Sequence, residues 1–242
     1  MLLITPQLLV FDLDGTLIDS RTDLCNSVNA TLEHFGQPAL PENVVASYIG
    51  DGVQMLVRRA LGHAHMIAAG ATEDAAPSPH DDALINEATR WFISYYHDHK
   101  LDFTYVYPGV IESLEQIRSQ RPDLPMAVLT NKPVHPSRDI CRHFGMDRFF
   151  FKVYGGNSFA NKKPDPAGLH ILMGEASLLI GDAITPGQTV MIGDSHVDVE
   201  TARNAGTHAL GCTFGLSPQT LALAKPDVSV DSAFDWPSAL NL

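Results

Sequence analysis

Cysteine is scarce in this chain of 242 residues: Cys25, Cys141 and Cys212 lie far apart and form no C-x-x-C. Three thiols cannot all pair, so reduced cysteines in a cytoplasmic protein are the expected state. Long apolar runs are missing too. No stretch of about eighteen apolar residues occurs, so no membrane-spanning helix is expected. The chain does not open on a basic segment, an apolar core and a small-residue cleavage site, so no secretory signal is expected. Positive charge is in short supply: 16 basic residues stand against 28 acidic ones, a formal net charge of −12. Such a surface repels nucleic acid, which is excluded as a partner. It repels small anions as well, so an anionic substrate requires positive charge supplied by the site itself. Internal repeats and low-complexity tracts are absent.

What the chain does have is a change of texture along its length. Leu8–Phe11 form a dense apolar run that ends in two carboxylates, Asp12 and Asp14. From 20 to about 36, Leu24, Val28, Leu32 and Phe35 recur at three- and four-residue steps, the spacing of a helix face. Shorter helices are predicted over 41–48 and 53–61, the second after the break Gly50-Asp51-Gly52. Residues 62–82 are rich in Ala, Gly and Pro without a sustained period and read as a long loop. Helical spacing returns over 83–99.

Beyond Pro108, strands and helices alternate. Helices are predicted over 109–119, 137–143, 165–175 and 197–205, the third with Asp165 placed to cap and Pro166 at its first position. Strands are predicted over 125–130, 150–155, 189–194, 207–211 and 227–230. Nearly all-apolar strands alternating with helices indicate an α/β fold, a Rossmann-like parallel sheet covered on both faces. The expected organisation is an α/β core made of 1–18 and 100–242, interrupted by an inserted all-helical domain over 19–99.

In open parallel sheets, ligands bind beyond the carboxyl ends of the strands. The first strand ends in Asp12 and Asp14, and the strand over 125–130 ends in Thr130-Asn131-Lys132. The strand over 150–155 leads on to Lys162-Lys163-Pro164, and the one over 189–194 ends in Asp194-Ser195, with Asp198 four residues on. Packing has no use for carboxylates, a hydroxyl, an amide and an ammonium gathered on one edge. A Mg²⁺ and a phosphate do. Mg²⁺ takes oxygen ligands, commonly one or two carboxylates with phosphate and water, and Asp12 and Asp194 fit. Thr130 and Lys163 can bind phosphoryl oxygens. One carboxylate can then attack phosphorus in line and form an aspartyl-phosphate. A second can protonate the leaving alkoxide and later activate water. Asp12 and Asp14 can divide those roles. A calcium loop starting at Asp12 fails, because Leu17 and Asp23 stand where Gly and Glu are required.

"DLDGTLID", "VLTNK", "KKPDP" and "IGDSHVD" resemble, in order, the four motifs of the haloacid dehalogenase superfamily, and together they span essentially the whole chain. The resemblance implies Asp12 as nucleophile and Asp14 as general acid/base, with the Asp14 main-chain carbonyl also on the metal. It implies Thr130 as the phosphate-binding hydroxyl, Lys163 as the lysine of K-P-x-P and Asp194 as a metal carboxylate. Asp198 is implied as a metal ligand, directly or through water, and Asn131 as a contact to phosphate or leaving group. A helical insertion after the first motif resembles the superfamily's first class of cap domain. Within that class "YIGDGVQMLVRRAL", "YPGVIESLEQI" and "TNKP" resemble bacterial phosphoglycolate phosphatases. The implied activity is Mg²⁺-dependent hydrolysis of a small anionic phosphate ester, 2-phosphoglycolate first, by a monomer or small homo-oligomer. Gly50, Asp51 and Gly52 are the implied substrate-selecting positions of the cap. Two departures stand out: the loose segment over 64–79, and "SLLIGDAITPGQ" before the last motif.

Other readings stay in view. A sugar phosphate or another small ester would use the same chemistry, and so would a β-phosphoglucomutase-like phosphomutase. Phosphomutases of this cap class usually carry a histidine soon after the first motif, and residues 20–30 contain none. A non-catalytic binding protein would not need every motif position filled with a competent residue. The first "IGD", ending at Asp182, lacks the second acid and reads as a loop. Lys162 reads as a solvated charge, and Lys132 as a surface or supporting one. His63 and His65 read as structural or solvent-facing. Trp91, Phe92, Tyr95 and Tyr96 read as packing of the helix over 83–99, and Arg58 and Arg59 as surface charges or substrate contacts.

Overall fold

The computed structural model describes residues 1–70 and 82–242. The chain forms two compact units, one of Met1–Asp19 with Val106–Leu242 and one of Ser20–Tyr105.

The first unit is built on a six-stranded sheet of β1 (Leu8–Phe11), β4 (Met126–Leu129), β5 (Lys152–Tyr154), β6 (Thr189–Gly193), β7 (His208–Cys212) and β8 (Val228–Val230). Their order is β5-β4-β1-β6-β7-β8, and every pairing is parallel. Two short strands, β2 (Ile18–Asp19) and β3 (Tyr105–Val106), form a separate two-stranded sheet. All four residues of β1 are fully buried, as a strand covered on both faces requires. Side chains alternate between the two faces. Leu8 and Val10 join a core with Leu169, Leu172, Met191 and Leu221. On the other side the Phe11 ring lies 5.3 Å from Trp236 and 5.9 Å from Phe150.

Connecting helices are α5 (Val110–Gln120), α6 (Val134–His143), α7 (Ala167–Ile180), α8 (His196–Ala205), α9 (Pro218–Ala224) and α10 (Trp236–Ala239). The chain visits β4 and β5 on one side of β1, then β6 to β8 on the other. That puts the switch point of the sheet at β1, where parallel sheets open a crevice for ligands. α7 outruns the predicted end at 175. Leu169, Leu172, Met173 and Ala176 hold its buried face, and Ile180 still packs on the same cluster.

The second unit comprises α1 (Arg21–His34), α2 (Glu42–Ala46), α3 (Val53–Ala68) and α4 (Asp82–His99). Leu24, Val28 and Leu32 of α1 share its core with Leu56, Leu61, Ile85 and Phe92, and Phe35 packs against it. Two sequence expectations need correction here. α3 does not stop at 61, because the Ala-rich continuation is a good helix former and still has a core to face. Ala64 is fully buried, and Tyr48 Oη lies 2.7 Å from Nδ1 of buried His63. The loop reading therefore fails over 62–68, and its part over 71–81 lies outside the described residues. The second unit also extends past 99. The buried Asp23 carboxylate accepts from Phe103 N at 3.0 Å, Thr104 N at 2.8 Å and Thr104 Oγ1 at 2.7 Å, which ties residues 100–105 to α1. Cys25, Cys141 and Cys212 are buried free thiols. Among the described residues no helix is long and apolar enough to cross a membrane.

Candidate active site

Register decides what meets at the open end of the sheet. Phe11 pairs with Val128 on one side and Ile192 on the other, so the residues just past the three strands emerge together. These are Asp12, Thr130 and Asp194. Asp12 N still donates to Ile192 O at 2.8 Å, which fixes the first carboxylate to the sheet. The chain then turns tightly, with Gly15 N donating to Ile18 O at 2.8 Å. Gly15 has φ of +87°, and a Cβ there would lie 2.2 Å from Asp194 Oδ2. Only glycine allows both the turn and the approach of Asp194.

Asp12, Asp194 and Asp198 each offer a carboxylate oxygen within 4.8 Å of the others'. All three are buried, at 8%, 3% and 2% exposure. Lys163 sits among them, its Nζ 2.9 Å from Asp12 Oδ1 and 2.6 Å from Asp198 Oδ1. Asp198 is held from the other side by Ser195, whose N and Oγ donate to Oδ2 at 3.1 and 2.8 Å across the first turn of α8. Asp194 Oδ2 accepts from Leu216 N at 2.7 Å and Ser217 N at 3.2 Å.

Burial and mutual repulsion mark the electrostatics. Burial pushes the Asp12 carboxyl up to about 6 against the pull of Lys163, and Asp198 adds to the rise. Asp194 is raised well above the ordinary range by burial, then by Asp198 and Asp12. Burial alone would lower Lys163, but Asp12 and Asp198 outweigh it and keep the ammonium charged. One buried ammonium among three clustered carboxylates leaves an excess of negative charge. Oxygen donors with excess negative charge suit a hard divalent cation, so the set fits Mg²⁺.

The remaining motif residues divide. Thr130 is buried, and its Oγ1 accepts from Lys132 N at 3.2 Å. Asn131 donates from Nδ2 to Lys163 O at 3.0 Å, so it fixes the main chain of the lysine. The Asp14 carboxylate is not one of the clustered three; its Oδ1 lies 2.8 Å from Lys132 Nζ. Lys132 is no surface charge, being 6% exposed, whereas Lys162 and Asp182 are exposed. Gly50, Asp51 and Gly52 belong to the second unit, where Gly52 precedes α3 and Asp51 Oδ2 pairs with Arg59 at 2.5 Å. Arg58 pairs with Asp82. Phe92 and Tyr96 are buried, while Trp91 and Tyr95 stack on each other at 5.3 Å.

Sequence reasoning missed the segment Gly215-Leu216-Ser217 after β7. A Cβ on Gly215 would lie 2.3 Å from Asp194 Cβ, and the next two amides hold the Asp194 carboxylate. The available signal was a glycine just past an apolar strand, with nothing to say which strand end it would face.

A family described as haloacid dehalogenase-like hydrolase matches residues 9–212. A phosphoglycolate phosphatase of Pseudomonas putida is 39% identical over 211 residues, 87% of this chain and 70% of that protein. A phosphoglycolate phosphatase of Vibrio parahaemolyticus is 32% identical over 227 residues, 93% of this chain and 92% of its own length. Among solved structures, one described as a predicted phosphoglycolate phosphatase from Haemophilus somnus superposes with a TM-score of 0.85 at 32% identity, covering 98% of this chain and 99% of that one.

Proposed function

We propose, from the premise that the chain belongs to the haloacid dehalogenase-like hydrolase family, that it is a Mg²⁺-dependent phosphomonoesterase acting on 2-phosphoglycolate. The observation that carries this reading is the buried cluster of Asp12, Asp194 and Asp198 around Lys163 at the switch point of a parallel sheet. The names of the relatives support the choice of ester.

The Asp12 and Asp194 carboxylates and the Asp14 main-chain carbonyl would hold Mg²⁺, with Asp198 joining directly or through water. Bound there, the ion neutralises carboxylate and phosphate charge so that an anionic nucleophile can approach an anionic ester. Thr130 and Lys163 bind the phosphoryl oxygens. Asp12 attacks phosphorus in line, a P–O bond to Asp12 forms and the P–O bond to the alcohol breaks. Asp14 gives its proton to the departing glycolate oxygen. Asp14 then takes a proton from water, whose oxygen attacks phosphorus, breaks the bond to Asp12 and releases inorganic phosphate. Asn131 keeps Lys163 in place through both steps.

Phosphate release is measured with Mg²⁺, with and without chelator, over 2-phosphoglycolate, sugar phosphates, phosphoserine, nucleotides and pyrophosphate. The expected result is metal-dependent turnover in which 2-phosphoglycolate leads by about tenfold or more in kcat/KM, at least the discrimination that a single misfitted methylene brings. Another leading ester overturns the substrate. Chelator-resistant turnover, or none on any ester, overturns the chemistry.

A further inference from the structure

Lysines usually carry their ammonium out to water along a flexible stem. The Lys132 side chain is instead 4% exposed, and its Nζ sits 2.8 Å from Oδ1 of an Asp14 side chain that is 12% exposed. Its main chain is tied down as well. Lys132 N donates to Thr130 Oγ1 at 3.2 Å, and Lys132 O accepts from Gly156 N at 2.8 Å. One residue thus links the hydroxyl at the end of β4 to the second carboxylate after β1. Burying a lysine is costly unless it is paired, and a plain structural tie did not require the pair to include this carboxylate.

We propose that Lys132 is a positioning residue for Asp14. Its ammonium fixes the orientation of the carboxyl, so that the proton reaches the departing oxygen and leaves the attacking water from one geometry. The inference rests on the phosphatase reading above. It differs from two rivals, a tie that only supports the fold and an ammonium that binds the carboxylate of the substrate.

A double-mutant cycle separates the three. Lys132→Met, Asp14→Asn and the double variant are assayed with Mg²⁺ on 2-phosphoglycolate and on p-nitrophenyl phosphate. General acid–base catalysis is worth about 10²- to 10⁴-fold, and losing its alignment should remove part of that. Lys132→Met is expected to lower kcat on 2-phosphoglycolate by roughly 10- to 100-fold, with KM changed by less than about threefold. In the Asp14→Asn background the same substitution should change kcat by less than about twofold, because residues that act as one unit are not additive. Nitrophenolate leaves without a proton, so its pre-steady-state burst should keep its rate while the later steady state slows.

Equal losses in both backgrounds overturn the proposal. A rise in KM confined to 2-phosphoglycolate makes Lys132 a substrate contact, and a slowed burst makes it a general support of the site. If Lys132→Met does not fold, the double variant, neutral at both positions, is compared with Asp14→Asn alone. Equal kcat then supports the proposal, and a further tenfold loss overturns it. Wild-type protein that releases phosphate from neither ester fails the phosphatase reading itself, a separate result.

Discussion

Asp12 must stay near two other carboxylates in a buried site, with Lys163 as its direct ammonium partner. Its carboxyl titrates near 6, above the ordinary 3.8, so the native protein holds more protons than the unfolded chain between those values. By linkage, stability then falls as pH rises through that window. The contribution is present below about pH 4 and lost by a little above 6. Asparagine resembles the protonated acid and escapes the loss. In chelator, Asp12→Asn should therefore match wild type near pH 4 and exceed it at pH 7 by about 1–3 kcal/mol. The same substitution should reduce turnover by at least about 10⁴-fold, as loss of a nucleophile does. Chemical denaturation across pH and phosphate release measure the two effects. A variant less stable than wild type at pH 7 would contradict the raised carboxyl, and one with near-normal turnover would remove Asp12 as the nucleophile. The trade is a familiar one for active sites, which keep like charges together at the expense of stability.

Among the elements, α1 starts with an acid whose partners lie far along the sequence. Asp23 in its first turn binds Phe103 and Thr104, some eighty residues on, and is 1% exposed. Hydrogen bonds to a charged group are strong, and a buried amide left without one is costly. Asp23→Ala should destabilise the second unit by about 2–4 kcal/mol. Urea unfolding read through Trp91, which stacks on His34 of α1 and Tyr95 of α4, is the check. A change below about 0.5 kcal/mol, the scale of an ordinary surface substitution, would mean that 100–105 is held by other contacts.

That tie was invisible in the sequence for a physical reason: an acid eighty residues from its partners leaves no local pattern. The strands and most helices were legible because burial imposes a period on the residues that build them. The meeting of Asp12, Thr130, Lys163, Asp194 and Asp198 was legible because parallel strands bring the residues beyond their carboxyl ends to one edge. Lys132 and the amides of Leu216 and Ser217 were not. Their place depends on the register of neighbouring strands and on a turn whose direction no period encodes. The end of α3 was misplaced because alanine and glycine mark a loop only when no core remains to be faced.

At the scale of the whole molecule, each compact unit has its own core and its own tryptophan. Trp236 is fully buried against Phe11 in the first unit, and Trp91 belongs to the second. The clustered carboxylates all lie in the first unit. A ligand that binds only the folded state stabilises by mass action, about 2.7 kcal/mol at a hundred times Kd. For a protein of this size that corresponds to roughly 5–10 °C in Tm. Two single-tryptophan variants, Trp91→Phe and Trp236→Phe, let each unit report its own melting. Saturating Mg²⁺ at pH 7 should raise the midpoint seen by Trp236 by about that amount and the one seen by Trp91 by less. The gain should shrink at pH 5, where the ion must displace protons from the raised carboxyls of Asp12 and Asp194. Equal shifts at both tryptophans would mean that the units unfold as one cooperative body. No shift at either would mean that the three carboxylates hold no ion, and the proposed chemistry would lose its means of neutralising charge.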